Sequence, residues 1–219
     1  MHTRTILALS VTAALGLSAC GSGSEPLTQE QATEVLLTQE EFPIEGFTRG
    51  EVDSGVAEAD EGTAGDLLED FPGADQFSQE CLDALGSLET MDADFAAQAS
   101  VEFLGEESGA SLFGQPTVQL VVASMEEGDN PLDMIDSLNS ACEEITVEED
   151  GMSMTMSFNE VEGDAQGTTI AVGVLGQTFE LTVAGRESSG NYTVVTAMGI
   201  APEDIIEVLD AQDEKIANL

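Results

Sequence analysis

The chain has 219 residues, with 44 Asp and Glu against 4 Lys and Arg, giving a formal net charge of -40. A field of that sign repels phosphate backbones and anionic lipid head groups, which excludes nucleic acid as a partner and leaves cations and basic proteins open. Hydrophobic residues make up 42% of the chain, too many for a disordered acidic polymer.

In chain order, Arg4 gives a short positive start, and an uncharged, mostly apolar stretch broken by Ser10 and Thr12 follows from Ile6 to Leu17. That stretch is shorter than the roughly 20 apolar residues a spanning helix needs. It ends in Leu17-Ser18-Ala19-Cys20, small residues placed before a cysteine. The pattern resembles the lipobox of a bacterial lipoprotein. The resemblance implies that residues 1–19 are a signal peptide and that Cys20 is lipidated as the mature N-terminus, holding the protein on the outer face of the cell membrane. The alternative is an ordinary secretory signal with an incidental Cys20. Removal of residues 1–19 leaves 44 acidic residues against Arg49, Arg186 and Lys215. What remains is the length of one ordinary domain.

Residues 20–27 form a lipidated tether that is short and Gly/Ser-rich, reaching about 15 Å as a random coil. A domain is expected over 28–219. Thr28 and Gln31 have capping-box spacing, so a helix starts there with Ala32, Val35 and Leu36 inward and Pro43 as its stop. Residues 46–65 read as an acidic, Gly-rich loop with a short strand around 47–52. Phe77, Cys81, Leu85 and Leu88 fit one face of a helix over 76–88.

Ala97, Ala99, Val101 and Phe103 then alternate as a strand, and 118–123 read as a central strand after the turn-rich segment 105–116. Asn130-Pro131 opens a helix with Leu132, Ile135, Leu138 and Cys142 on its buried stripe. Met152, Met154, Met156 and Phe158 alternate in strict period two. Core packing explains these methionines better than soft-metal binding. Hairpins follow through Leu175-Gly176-Gln177 and Ser188-Ser189-Gly190-Asn191, the latter leading into 192–198. Pro202, Glu203 and Asp204 start a last helix carrying Ile205, Leu209 and Ile216. Hairpin strands beside segregated helices define an α+β domain with an antiparallel sheet flanked by helices.

With Cys20 lipidated, Cys81 and Cys142 remain as an even pair in an oxidising compartment, each on an apolar face. One disulfide between them is expected; two buried free thiols are the alternative. No Cys-x-x-Cys lowers a thiol pKa, so redox catalysis is not indicated.

The order of elements, with Leu36-Leu37, Cys81, Asn139-Ser140-Ala141-Cys142, Gly163-Asp164-Ala165 and Gly190-Asn191-Tyr192-Thr193-Val194-Val195, resembles the extracellular sensor domain of actinobacterial PknH-type kinases and related stand-alone envelope lipoproteins. The resemblance covers roughly residues 28–217. It implies a central antiparallel sheet flanked by helices, a ligand cleft and no enzymatic activity. Such kinase domains usually hold two disulfides, whereas this chain can form one, and no kinase domain or spanning helix accompanies it.

The catalytic inventory is sparse. His2 is the only histidine, and it leaves with the signal peptide, so no His remains as a base, triad member or zinc ligand. Lys215, the lone candidate for a Ser-Lys dyad, sits in the last turn of a helix, where a surface role beside the dipole suffices. Carboxylate pairs could serve a hydrolase, but 44 acids make pairs by chance, and there is no Trp and one Tyr to build a sugar platform. Asp53, Asp60 and Glu61, and Asp92 with Asp94, offer oxygen ligands without matching an EF-hand loop, so solvated loops are expected rather than a calcium site. Asn191-Tyr192-Thr193 is formally a glycosylation sequon and reads more simply as a turn entering a strand.

No catalytic residues, cofactor or metal are therefore expected. The sequence favours a monomeric, non-catalytic cell-envelope lipoprotein whose sensor-like domain binds an unknown small-molecule or protein ligand, attached to the membrane through Cys20. A lipid or glycolipid carrier of the envelope is the alternative, and a carboxylate-based hydrolase is third.

Overall fold

A computed structural model of the chain describes residues 26–55, 76–89, 95–106, 114–125, 130–142, 144–149, 152–174 and 176–219. Residues 1–25, which include the expected signal peptide, Cys20 and most of the expected tether, and the acidic positions 60, 61, 92 and 94 lie outside the described residues. The elements are α1 (Gln29–Glu34), β1 (Phe47–Ser54), α2 (Gln79–Glu89), β2 (Ala97–Gly105), β3 (Thr117–Ser124) and α3 (Asp133–Ala141). They continue with β4 (Ile145–Glu149), β5 (Met152–Glu160), β6 (Gln166–Val174), β7 (Gln177–Ser188), β8 (Asn191–Met198) and α4 (Pro202–Ala217).

All eight strands join one antiparallel sheet in the order β1-β2-β3-β8-β7-β6-β5-β4. Two meanders, β1–β3 and β4–β8, are thus stitched together where β8 pairs with β3. Period-two alternation decides which helix covers which half. Val52, Val101, Leu120, Val195 and Ala184 are cross-strand neighbours on one face. There they pack with Ala32 of α1 and with Ile205, Val208 and Leu209 of α4. In the same core Phe103 is fully buried and stacks on Phe42, with ring centroids 3.9 Å apart. Burying such a side chain contributes about 2–3 kcal/mol.

On the opposite face, α2 and α3 cover the other half of the sheet. Phe77, Cys81, Leu138 and Cys142 meet Ile145, Met156 and Phe158, while Leu132 and Ile135 meet Tyr192, Val183 and Val194. The Cys81–Cys142 disulfide closes this layer across 61 residues of chain. Gly185 lets α3 approach closely, because a Cβ there would lie 2.7 Å from Leu132 Cδ2. At the β7–β8 turn, Ser189 (φ 56) and Gly190 (φ 77) are both left-handed, the backbone of a type I′ hairpin.

Several details differ from the sequence expectations. The capping box at Thr28 and Gln31 forms as expected, yet α1 ends at Glu34, well before Pro43. Val35, Leu36 and Leu37 are each 1% exposed. Three consecutive residues sweep about 200° of a helix, so burying all three makes the chain leave the helix. Helix α2 starts at Gln79 rather than 76, because Ser78 Oγ caps it by accepting the Cys81 N–H at 3.1 Å. Strand β4, which no apolar alternation announces, pairs Ile145 with Met156 at the sheet edge. Leu27, grouped with the tether in the sequence, is buried in the main core.

Candidate functional site

Because α4 and α1 cover one half of the first face and α2 and α3 cover the other half of the opposite face, the α4-side face of β5–β7 has only the start of α4 beside it. A cleft of about 490 Å³ lies at that junction. Its walls are Asn159, Glu160, Val161 and Glu162 at the end of β5, Thr169 of β6, Glu180 of β7, and Pro202, Glu203 and Ile206 from the first turns of α4.

Each wall has a local reason. Pro202 occupies the first position of α4, where a missing N–H costs nothing, and Glu203 and Asp204 complement the helix dipole. Val161 is 4% exposed and its N–H donates to Gly167 O at 3.2 Å, which turns the chain out of β5 and brings Glu160 and Glu162 to the rim. The Thr169 and Thr182 hydroxyls pair at 2.9 Å in the floor. Gly199 N donates to Glu180 O at 3.2 Å, tying β7 to the lead into α4. With four carboxylates, an apolar strip from Val161 and Ile206, and no basic side chain in its lining, the cleft suits a cationic or donor-rich ligand with an apolar part.

The three basic residues of the described chain all serve elsewhere. Arg186 of β7 binds Asp210 at 2.7 Å and Asp213 at 3.0 Å on α4, and Asp164 at 2.5 Å in the β5–β6 loop. Burial opposes the Arg186 charge, but the hydrogen bonds to Asp210 and Asp213 and the charge of Asp164 outweigh it and raise its pKa. Lys215 Nζ donates to Leu36 O at 3.0 Å and to Glu41 at 2.5 Å, and Arg49 Nε donates to Leu37 O at 2.8 Å. Gln212, fully buried, donates to Val35 O at 2.8 Å and accepts the Leu37 N–H at 3.1 Å. Three successive carbonyls freed by the early end of α1 thus each receive a side-chain donor. Lys215 is a structural tie rather than a free surface cation. Its hydrogen bond to Glu41, helped by the Thr38 N–H, lowers the Glu41 pKa from 4.5 to about 2.

The sequence candidates do not converge on the cleft. Cys81 and Cys142 are bonded under α2 and α3 on the opposite face. Asn191 is 2% exposed, and its Oδ1 accepts from the Leu27 N–H at 3.1 Å and from Ser124 Oγ, a structural role for the sequon residue. Asp53 is exposed at the end of β1. Burial, followed by the charges of Glu187 and Asp133, pushes the Tyr192 phenol up, so it stays neutral. Among the described residues, no group of three His, Cys, Asp or Glu is placed to hold a metal ion, and no helix is long and apolar enough to cross a membrane.

No protein-family description matches this chain, and no curated protein matches it in sequence. The architecture is that of an α+β domain with a single antiparallel sheet between two helical layers. It is similar to the crystal structure of the extracellular domain of PknH from Mycobacterium tuberculosis, with a TM-score of 0.55 and 12% identity over 90% of this chain and 100% of that one. At that identity the likeness shows a shared fold.

Proposed function

We propose that this protein is a non-catalytic binding domain of the cell envelope, lipidated at Cys20 and held on the outer face of the membrane, with the cleft between α4 and β5–β7 as its ligand site. The observation that carries this reading is the fold shared with the extracellular domain of a kinase. The lipobox-like Leu17-Ser18-Ala19-Cys20 and the lack of any histidine after His2 support it. The acidic lining favours a cationic ligand from the aqueous side of the membrane. Fractionation of cells expressing the Cys20→Ala variant tests the anchor: the variant should appear in the soluble fraction while the unmodified protein pellets and resists a carbonate wash. A variant that still pellets and resists the wash overturns it.

A further inference from the structure

We propose that the end of the domain carrying the β7–β8 turn faces the membrane, and that the cleft is held away from the leaflet and fills from the aqueous side. The inference rests on the reading of Cys20 as a lipid anchor.

The entry point of the chain into the fold is fixed. Leu27 is 6% exposed, and its N–H is shared between Ser124 Oγ at 2.9 Å and Asn191 Oδ1 at 3.1 Å. Ser124 is the last residue of β3 and Asn191 the first of β8. The β7–β8 turn belongs to the same end, since Ser188 pairs with Asn191 and Met125 N donates to Gly190 O at 2.9 Å. So does the start of β2, where Ala96 N donates to Ser124 O at 2.8 Å. The tether therefore leaves the domain from one end of the sheet.

Length excludes the inverted orientation. From Cys20 to Leu27 there are seven Cα steps, at most about 25 Å when fully extended. Strand β7 has 12 residues and runs from Gln177, beside the Gly176 turn, to Ser188 at the entry end. At the usual rise per residue its ends are about 36 Å apart. Standing the domain on its Gly176 turn would lift Leu27 further from the leaflet than the tether reaches, so the inverted orientation is out of range. The cleft lies between the two ends. Glu160 pairs with Thr168, which is level with Val183, and Glu180 pairs with Ala171, so these walls lie about 17 and 26 Å along β7 from Ser188, with Glu162 on the β5–β6 loop nearer the entry end. The carboxylates on its walls are also repelled by an anionic leaflet. A lipid drawn directly from that leaflet would have to pass the acidic rim at Glu160 and Glu162, whereas a water-borne cationic ligand enters from the open side.

Fluorescence quenching by membrane nitroxides tests this. The full lipoprotein, purified from its own membranes and carrying a single dye, is reconstituted in phosphatidylcholine vesicles containing nitroxide-headgroup lipid. The dye is attached at Ser188→Cys or Glu30→Cys near the entry end, or at Gln177→Cys at the far end; all three positions are exposed. Quenching should be several-fold stronger at 188 and at 30 than at 177. Equal or reversed quenching on protein that floats with the vesicles overturns the orientation and leaves the anchor standing. Protein that does not float overturns the anchor, and the orientation with it.

Discussion

Replacing Arg186 with Met removes the one cation that joins β7, the β5–β6 loop and α4. Its side chain is 13% exposed, while those of Asp164, Asp210 and Asp213 are 78%, 64% and 36% exposed. With acceptors so open to water, each pair contributes only about 0.2–1 kcal/mol, so the three together give about 1.5 kcal/mol. Two further effects of opposite sign follow. Asp210 and Asp213 sit on adjacent turns of α4 and face Asp164, so without the guanidinium they repel one another in a chain already dense in negative charge. Against that, Arg186 Nε is buried and has no partner among the described residues, and removing it recovers about 1 kcal/mol of desolvation. Repulsion and lost packing of the Arg stem outweigh that recovery, and the expected net loss is about 2 kcal/mol. For a domain of this size that corresponds to about 4–8 °C in Tm. The assay is urea unfolding at low ionic strength, because guanidinium would screen the charges being measured. Adding Asp210→Asn and Asp213→Asn to the Met variant should restore part of the loss. An Arg186→Met protein within about 0.5 kcal/mol of the parent would refute the reasoning.

Three further outcomes can be checked. The folded-state pKa of Glu41 is lowered from 4.5 to about 2, so the stability it contributes is present above pH 4.5 and is lost as pH falls toward 2. The stability difference between the parent and Glu41→Gln, from unfolding curves across that range, should shrink toward zero; a constant difference would contradict it. Replacing Cys81 and Cys142 together with Ala removes a link across 61 residues, with an expected loss of about 3–4 kcal/mol; a loss under about 1 kcal/mol in chemical unfolding would refute it. Raising sodium chloride from about 0.01 M to 1 M shortens the Debye length from about 30 Å to 3 Å and should raise Tm steadily, with no saturable extra rise from micromolar calcium.

Much of the fold was legible because period decides face. Ala97, Ala99, Val101 and Phe103 read as one side of β2 and are all buried, and the capping box at Thr28 formed as spaced. Strand β4 was hidden because Ile145-Thr146-Val147-Glu148-Glu149 holds only two apolar residues, too few for an alternation to stand out. The cleft was illegible, since it arises where helices on opposite faces leave part of the sheet open, and no local pattern records that offset. Gln212 likewise reads as an ordinary polar position of α4, although it closes the end of α1 from far along the chain. In a chain with 44 acids and 4 basic residues, each retained cation is conspicuous, and Arg49, Arg186 and Lys215 all prove to tie elements together.

Native mass spectrometry of the protein purified from its own cell envelope is the most direct test of an anchored binding domain. The expected mass is the chain from Cys20 to Leu219 carrying a diacylglyceryl group, together with a bound polar cationic species that is lost when Glu180 and Glu203 are both changed to Gln. An unlipidated chain, or an acyl lipid held in place of a polar ligand, would contradict it.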